Sequence, residues 1–287
     1  MSILYVVATP IGNLKDVSSR CLETLENCDY IIAEDTRYTL KLLSHYNIHK
    51  KLISYHEHNE KIRSEEIIKD MKENDIKVAL VTDAGTPCIS DPGFVIVEQA
   101  RKEGIEVIGI SGPSAVITAL SVSGFEINAF VFYGFLSREN KEKREELEKI
   151  KVSTENIFVL YESPKRIKKL LEDLYNEFPN SEVCVCCDLT KLHEKTITGK
   201  IEYIKKEIED NPNSELGEYV VILKRENIEI KKEEISLEAL LLDYLIKNEN
   251  KTLKDAKEEL NKKGMAKNKL YEAGENLKNI NERIRKV

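Results

Sequence analysis

A chain of 287 residues with 51 acidic and 44 basic side chains, formal charge −7, lacks the positive coat that an indiscriminate nucleic-acid or anionic-membrane binder needs. With 41 % hydrophobic and 33 % charged residues it has the composition of a globular chain with substantial cores and about two domains, and no apolar run approaches the roughly 18 residues that span a bilayer. Met1 to Val7 reads as a buried strand without a basic leader or cleavage site, and three of the six cysteines crowd into Cys184-Val185-Cys186-Cys187, so reduced thiols and a cytoplasmic location are expected.

From residue 3 to about 112, short β-branched runs alternate with segments of helical period, the pattern of a mostly parallel sheet covered by helices. The predicted strands are Ile3 to Thr9, Tyr30 to Glu34, Lys51 to His56, Lys77 to Thr82 and Glu106 to Ile110. Between them, Glu60 to Lys72 is predicted to be an amphipathic helix with Ile62, Ile67, Ile68 and Met71 inward. A second α/β unit follows, with strands at Phe130 to Phe135, Asn156 to Tyr161, Glu182 to Leu189 and Glu218 to Lys224, and charged helices at Glu139 to Ile150 and Pro164 to Tyr175. If Glu194 to Ile201 is a further strand returning as a hairpin, this unit is the more antiparallel of the two.

Beyond about residue 226 the strand pattern stops. Ser236 to Asn248 places Leu237, Leu240, Leu241, Tyr244 and Leu245 on one face; Thr252 to Asp255 is a capping-box pattern opening a helix with Leu253, Ala256 and Leu260 inward; Gly264 breaks it, and Ala266 to Leu277 follows with Leu270, Ala273 and Leu277 inward. Helix, glycine turn and helix form a helix-turn-helix-like tail; a helical cap on the protein fits the same spacing. The expected domains are therefore 1–118, 119–228 and 233–287.

Neither G-x-G-x-x-G after the first strand nor G-x-x-x-x-G-K-[ST] occurs, so neither a dinucleotide turn nor a P-loop is supported. Three other turns stand at predicted strand ends, where open α/β sheets place ligands: Thr9-Pro10-Ile11-Gly12-Asn13-Leu14, the run Thr82 to Gly93 with two Pro and two Gly, and Ser111-Gly112-Pro113-Ser114-Ala115. Any one of these reads as a tight connection; three on one sheet edge suggest a pocket.

The blocks Ala8 to Leu14, Ala33-Glu34-Asp35-Thr36-Arg37, His56-Glu57-His58-Asn59-Glu60, Asp83-Ala84-Gly85-Thr86-Pro87 with Ile89-Ser90-Asp91-Pro92-Gly93, Gly112 to Ala115 and Tyr161-Glu162-Ser163-Pro164 with Arg166 resemble, in this order and over nearly the whole chain, the ribosomal RNA small subunit methyltransferase I family of the tetrapyrrole methylase (class III) S-adenosylmethionine-dependent methyltransferases. The resemblance implies two α/β domains with the cofactor in the cleft between them, usually a homodimer, and methyl transfer to the ribose 2′-oxygen of a decoding-centre cytidine in 16S rRNA. It also implies S-adenosylmethionine contacts from Pro10, Asp83, Gly85, Thr86, Ile89, Ser114, Ala115, Tyr161, Leu189 and Glu218. These types suit an adenosyl ligand: small residues and amides against a base, carboxylates for polar groups, an aromatic ring for a sulfonium.

Glu34, Asp35, Arg37, His56, Glu57, Asn59, Asp91 and Lys191 are expected to line the acceptor side. Adjacent strand residues face opposite ways, so one of Glu34 and Asp35 is expected in the cleft. Imidazole ordinarily titrates near neutrality, and Lys191 serves as base if burial lowers its pKa, or as phosphate anchor if not. No metal is expected, because His56-x-His58 lacks a third ligand and Cys186 and Cys187 diverge on a strand. The chain departs from the family at Cys187-Asp188 and Leu216, which remove positive charge near the expected acceptor side. A tetrapyrrole methyltransferase and a non-catalytic nucleic-acid-binding protein are the alternatives. The charge divides unevenly: residues 251–287 carry +5 and residues 1–250 carry −12, with further basic clusters at Arg138 to Arg144 and Lys165 to Lys169, each a candidate phosphate contact or a solvated helix face.

Overall fold

The structure, a computed structural model, describes residues 1–226 and 236–284, with side chains through 279. The chain forms two compact units, Met1–Asn227 and Ile228–Val287; the expected boundaries at 228 and 233 fall outside the described residues.

In the first unit, β1 (Ile3–Val7), β2 (Tyr30–Ala33), β3 (Lys51–Ser54), β4 (Lys77–Val81) and β5 (Glu106–Ile110) form a wholly parallel sheet in the order β3-β2-β4-β1-β5. The connecting helices are α1 (Ser19–Asn27), α2 (Thr36–His45), α3 (Glu60–Asn74), α4 (Phe94–Lys102) and α5 (Ala115–Val122). Strand period two sorts the core onto two faces. Ile31, Ala33, Ala79 and Val81 pack with Cys21 and Leu25 of α1 and Leu43 of α2, whereas Tyr30, Ile32, Val78 and Leu80 pack with Ile67, Ile68 and Met71 of α3 and Ile96 and Ala100 of α4. Ile62, predicted inward, is 68 % exposed. At roughly 100° per residue it lies about 140° from Ile67 and so off the stripe that Ser64, Ile67, Ile68 and Met71 bury.

A second sheet follows in the same unit, built from β6 (Val131–Phe135), β7 (Ile157–Glu162), β8 (Glu182–Cys187), β9 (Lys195–Lys200) and β10 (Tyr219–Lys224) in the order β6-β7-β10-β8-β9. Only β6 and β7 run parallel; β8 and β9 form the expected hairpin. Helices α6 (Asn140–Val152), α7 (Ile167–Glu177) and α8 (Ile201–Asp210) cover one face. Ile11 and the Val116, Ala119 and Leu120 stripe of α5 cover the other, against Ile157, Val159, Cys184, Cys186, Val220 and Ile222. The two sheets thus share a core through α5, and Cys184 and Cys186 serve in it as small apolar side chains. Strand β8 ends at Cys187 rather than Leu189 because Asp188 takes φ 52°, outside the extended region. Helix α7 begins three residues after Pro164, which lies in a turn closed by Arg166 N–H donating to Ser163 O at 3.0 Å.

The second unit contains α9 (Leu237–Lys247), α10 (Leu253–Lys262) and α11 (Lys267–Ile284). Leu241, Ala256, Leu260, Leu270 and Ala273 form its core, the Thr252 and Asp255 capping box is made in both directions, and Gly264 at φ 94° turns α10 into α11.

Candidate active site

Because β4, β1 and β5 are neighbours, the three turns singled out at their carboxyl ends meet. Thr9 and Gly85 exchange backbone hydrogen bonds of 2.8 and 3.1 Å, Thr9 Oγ1 donates to Thr82 O at 3.2 Å, and a Cβ on Gly112 would stand 3.0 Å from that of Ala8. The second sheet closes over this edge through its β8–β9 turn. A Cβ on Gly12 would lie 2.6 Å from Lys191 Cγ and 2.9 Å from Thr190 Oγ1, and Asn13 N–H donates to Thr190 Oγ1 at 3.1 Å. Both flanking loops carry non-glycine residues at positive φ, Cys88 and Ser90 on one side and Asp188 and Thr190 on the other; such strain is held only where surrounding contacts determine it. Gly12→Ala is therefore expected to displace Leu189 to Lys191 and, through misplacement alone, to lower the efficiency of any reaction in this cleft by about tenfold or more. Cofactor affinity and kcat/KM, measured side by side, check this.

Between the sheets lies a cavity of about 440 Å³, within the size range of small-molecule sites. Of the expected residues, Glu34, Asp83, Gly85, Thr86, Ile89, Asp91, Ser114, Ala115, Tyr161, Leu189 and Glu218 line it. Pro10 does not, although its neighbour Ile11 does. Tyr161 is fixed edge-on between Phe132 and Phe135, with ring centroids 5.0 and 5.6 Å away. Burial, and secondarily the charge of Asp91, pushes its phenol up to about 12, so it stays a neutral ring.

Three carboxylates share this space. Glu34 Oε2 accepts from Thr82 Oγ1 at 2.7 Å, and Asp83 Oδ1 accepts from Asp35 N–H at 3.1 Å. Burial, reinforced by the negative charge of Glu34, raises Asp83 above the usual carboxylate range. Burial also pushes Asp91 up to about 6; a hydrogen bond with Thr82 opposes this, and the charges of Glu34 and Asp83 add to it. A cationic ligand relieves that repulsion.

Asp35, Arg37, His56, Glu57, Asn59 and Lys191 lie outside the lining. Strand β2 stops at Ala33, so both acidic residues follow it: Glu34 turns into the cavity, and Asp35 caps α2 through Arg37 N–H at 2.8 Å and pairs with Arg37 Nη2 at 2.6 Å. The Arg37 hydrogen bond holds the Asp35 carboxyl down at about 2, and the arginine side chain is 87 % exposed. His56 and Asn59 form a turn after β3, with His56 N–H donating to Asn59 Oδ1 at 2.9 Å and Asn59 Nδ2 3.2 Å from His56 Nε2. His56 Nδ1 is buried without a hydrogen-bond partner, and Glu57 faces solvent. Lys191 bridges Asp188 and Glu218, each at 3.1 Å. Burial opposes its charge, but these hydrogen bonds outweigh burial and raise its pKa above the ordinary value, which keeps it a cation and favours anchoring over proton abstraction.

Ile11, Ala84 and Ser90 line it from the turns expected to form a pocket, whereas Phe135, Glu162, Ser163, Pro164, Tyr219 and Val220 are lining residues to which sequence reasoning gave no contact. Glu162 is the best-tethered of these: its side chain is 1 % exposed, accepts from Ser163 N–H at 2.7 Å and pairs with Arg166 at 3.0 Å.

An acidic cavity at the carboxyl edge of one parallel sheet, closed by a second mixed sheet, defines a class: residues 3–205 match the family Tetrapyrrole (Corrin/Porphyrin) Methylases. The fold alone is shared with crystal structures of diphthine synthase, TM-score 0.58 at 16 % identity over 78 % of this chain and 90 % of that one, and of uroporphyrin-III-C-methyltransferase from Thermus thermophilus, TM-score 0.53 at 17 % identity over 77 % and 94 %. Proteins named ribosomal RNA small subunit methyltransferase I are nearer in sequence: 44 % identity to that of Halalkalibacterium halodurans over 83 % of this chain and 81 % of the relative, and 40 % to that of Haemophilus influenzae over 95 % and 96 %. The chain belongs to the ribosomal RNA small subunit methyltransferase I family of the tetrapyrrole methylases.

Proposed function

We propose that the chain is an S-adenosylmethionine-dependent methyltransferase that modifies the ribose 2′-oxygen of a decoding-centre cytidine in 16S rRNA of the small ribosomal subunit. The observation that carries this reading is the cavity itself, in which Gly85, Ala115, Leu189 and Val220 supply small and apolar walls and Glu34, Asp83 and Asp91 supply negative charge. That donor set fits S-adenosylmethionine, whose adenosine needs a flat close approach and whose sulfonium and amino groups are cationic. When bound, it supplies a methyl group on a sulfonium. The chain's part is positional and electrostatic: Ser114 and Ala115 with Thr86 and Gly85 would hold the adenosyl part, Tyr161 would offer it a neutral ring, and Lys191 is held by Glu218 of the lining at 3.1 Å. Asp91 is assigned the 2′-hydroxyl proton. A carboxylate raised to about 6 is ionised at neutral pH and more basic than an ordinary aspartate.

A cytoplasmic location and a homodimer belong to the same reading; the exposed apolar side chains of Phe94, Ile117 and Val122 are available to a second copy. Labelled S-adenosylmethionine incubated with the protein and small subunits from a strain lacking the modification should place label on one cytidine ribose. Label in a tetrapyrrole instead, or in no acceptor despite tight cofactor binding, overturns the reading.

A further inference from the structure

We propose that Arg138, Lys165 and Lys168, together with the ring of Phe135, form a docking rim for the single-stranded RNA segment that carries the acceptor ribose. This rests on the reading of the chain as an RNA methyltransferase and adds the surface by which the polyanion is held. Strands β6 and β7 run parallel with Phe135 opposite Tyr161, so the connections that follow them leave the sheet side by side, and Arg166 Nη2 ties them by donating to Leu136 O at 3.0 Å. Phe135 from one connection and Glu162, Ser163 and Pro164 from the other line the cavity, which makes residues 136–139 and 163–168 its border.

The structure separates the basic clusters of this region into paired and unpaired side chains. Arg166 is held by Glu162, Lys143 by Asp173, Lys169 by Glu172 and Asp173, and Lys151 by Glu148 and Glu177. Among the described residues, Arg138, Lys141, Arg144, Lys149, Lys165 and Lys168 have neither an ion pair nor a side-chain hydrogen bond, and of these only Arg138, Lys165 and Lys168 stand in the two border segments. The acids nearby are mostly engaged: Glu142 accepts from Ser137 Oγ, Glu146 from Ser137 N–H, and Glu162 from Ser163; Glu139 alone stands exposed in the first connection. Phe135, which directly precedes the first border segment, is 56 % exposed, yet its ring is braced against Tyr161.

Unpaired cations beside a braced, solvent-facing aromatic ring match the way proteins hold single strands, with phosphates on the cations and a base stacked on the ring. The cavity's own charge makes such a rim necessary. Glu34, Asp83 and Asp91 repel the phosphates on either side of an entering ribose, and positive charge at the border offsets that repulsion where the backbone passes.

The test uses the full chain carrying R138A, K165A and K168A together, with F135A separately. Affinity for a single-stranded RNA oligonucleotide spanning the decoding-centre cytidine is measured across a salt series, alongside S-adenosylmethionine affinity and the KM for small subunits. For the triple variant the slope of log affinity against log salt should become shallower by about 2, roughly 0.7 for each lost phosphate contact, with KM for subunits raised and cofactor affinity unchanged. The R138K, K165R and K168R chain should keep the wild-type slope. F135A should weaken RNA binding by about tenfold with the slope retained. An unchanged slope in the triple variant, while the wild type methylates subunits, overturns the rim; a wild type that methylates no RNA overturns instead the reading on which it rests.

Discussion

Asp91→Asn is expected to lower single-turnover methyl transfer by about 10²- to 10⁴-fold, the usual contribution of a positioned base, while making the protein more stable. Both effects have one cause. Burial and the neighbouring charges of Glu34 and Asp83 raise the carboxyl from 3.8 to about 6. Below 3.8 the group is protonated whether the chain is folded or not, and it has no effect on stability. Between 3.8 and about 6 the folded chain binds more protons, so stability falls as pH rises through that window, and the whole penalty persists above it. Asparagine removes the penalty at neutral pH. Solvent reaches this half-buried group, so the expected gain is about 1 kcal/mol, or roughly 2 to 4 °C in Tm for a chain of this size. The wild-type rate should fall as pH drops through about 6, and the variant's residual rate should lack that limb. Stopped-time assays from pH 5 to 8 with calorimetry on both proteins decide it: a variant within threefold of wild type, or one that keeps the limb, removes Asp91 from the reaction.

How much of this site was legible depends on whether a residue's position follows from its own strand or from its neighbours'. Thr82 to Gly93, Thr9 to Leu14 and Ser111 to Ala115 were legible because strand ends and glycine–proline turns are local signals. The same rule applied to Phe135 and Glu162 to Pro164 finds them, since each stands at the carboxyl end of one of the parallel pair β6 and β7, but Pro164 by itself reads as a helix start. Tyr219 and Val220 were beyond any local rule. They begin β10, which runs antiparallel to β7, so its first residues lie opposite Glu162 and Tyr161. His56, Glu57 and Asn59 show the converse. They follow a strand on the correct edge, but β3 is the outermost strand of the sheet, two strand spacings of about 4.8 Å from β4, and sequence carries no record of strand order. Glu34 and Asp35 did divide between cavity and surface as strand alternation suggested, although the cause is a helix cap: Asp35 is held at the start of α2 by Arg37.

Arg225→Met should cost at least about 3 kcal/mol of stability, the largest effect expected away from the cavity. Arg225 is 6 % exposed and has no carboxylate partner among the described residues. Its guanidinium donates instead to the carbonyls of Ile150, Lys151, Ser153 and Glu155 at 2.5 to 3.0 Å and lies over the Phe158 ring at 5.6 Å. Ile150 and Lys151 end α6, where unpaired carbonyls carry the negative end of the helix dipole. The arginine therefore satisfies these acceptors and ties the end of α6 to the residue that follows β10, where Arg225 N–H also donates to Asn156 O at 2.8 Å. Burial lowers its pKa, so the carbonyls and the ring supply the stabilisation that keeps it charged. Methionine fills much of the volume but donates nothing, leaving four carbonyls without a donor; hydrogen bonds from charged groups are worth about 1.5 to 3 kcal/mol each and are not additive. Arg225→Lys retains the charge on a compact ammonium that cannot span four carbonyls, and its loss should be smaller. Denaturant unfolding should show the order wild type, lysine, methionine, with Tm for the methionine variant lower by about 6 to 12 °C. Below its transition that variant should still bind S-adenosylmethionine, because the cavity end of β10 is the opposite one, at Tyr219 and Val220. A methionine variant within 1 kcal/mol of wild type would show that α6 is held by its apolar face on the sheet, through Leu147 and Ile150, and not by this clamp.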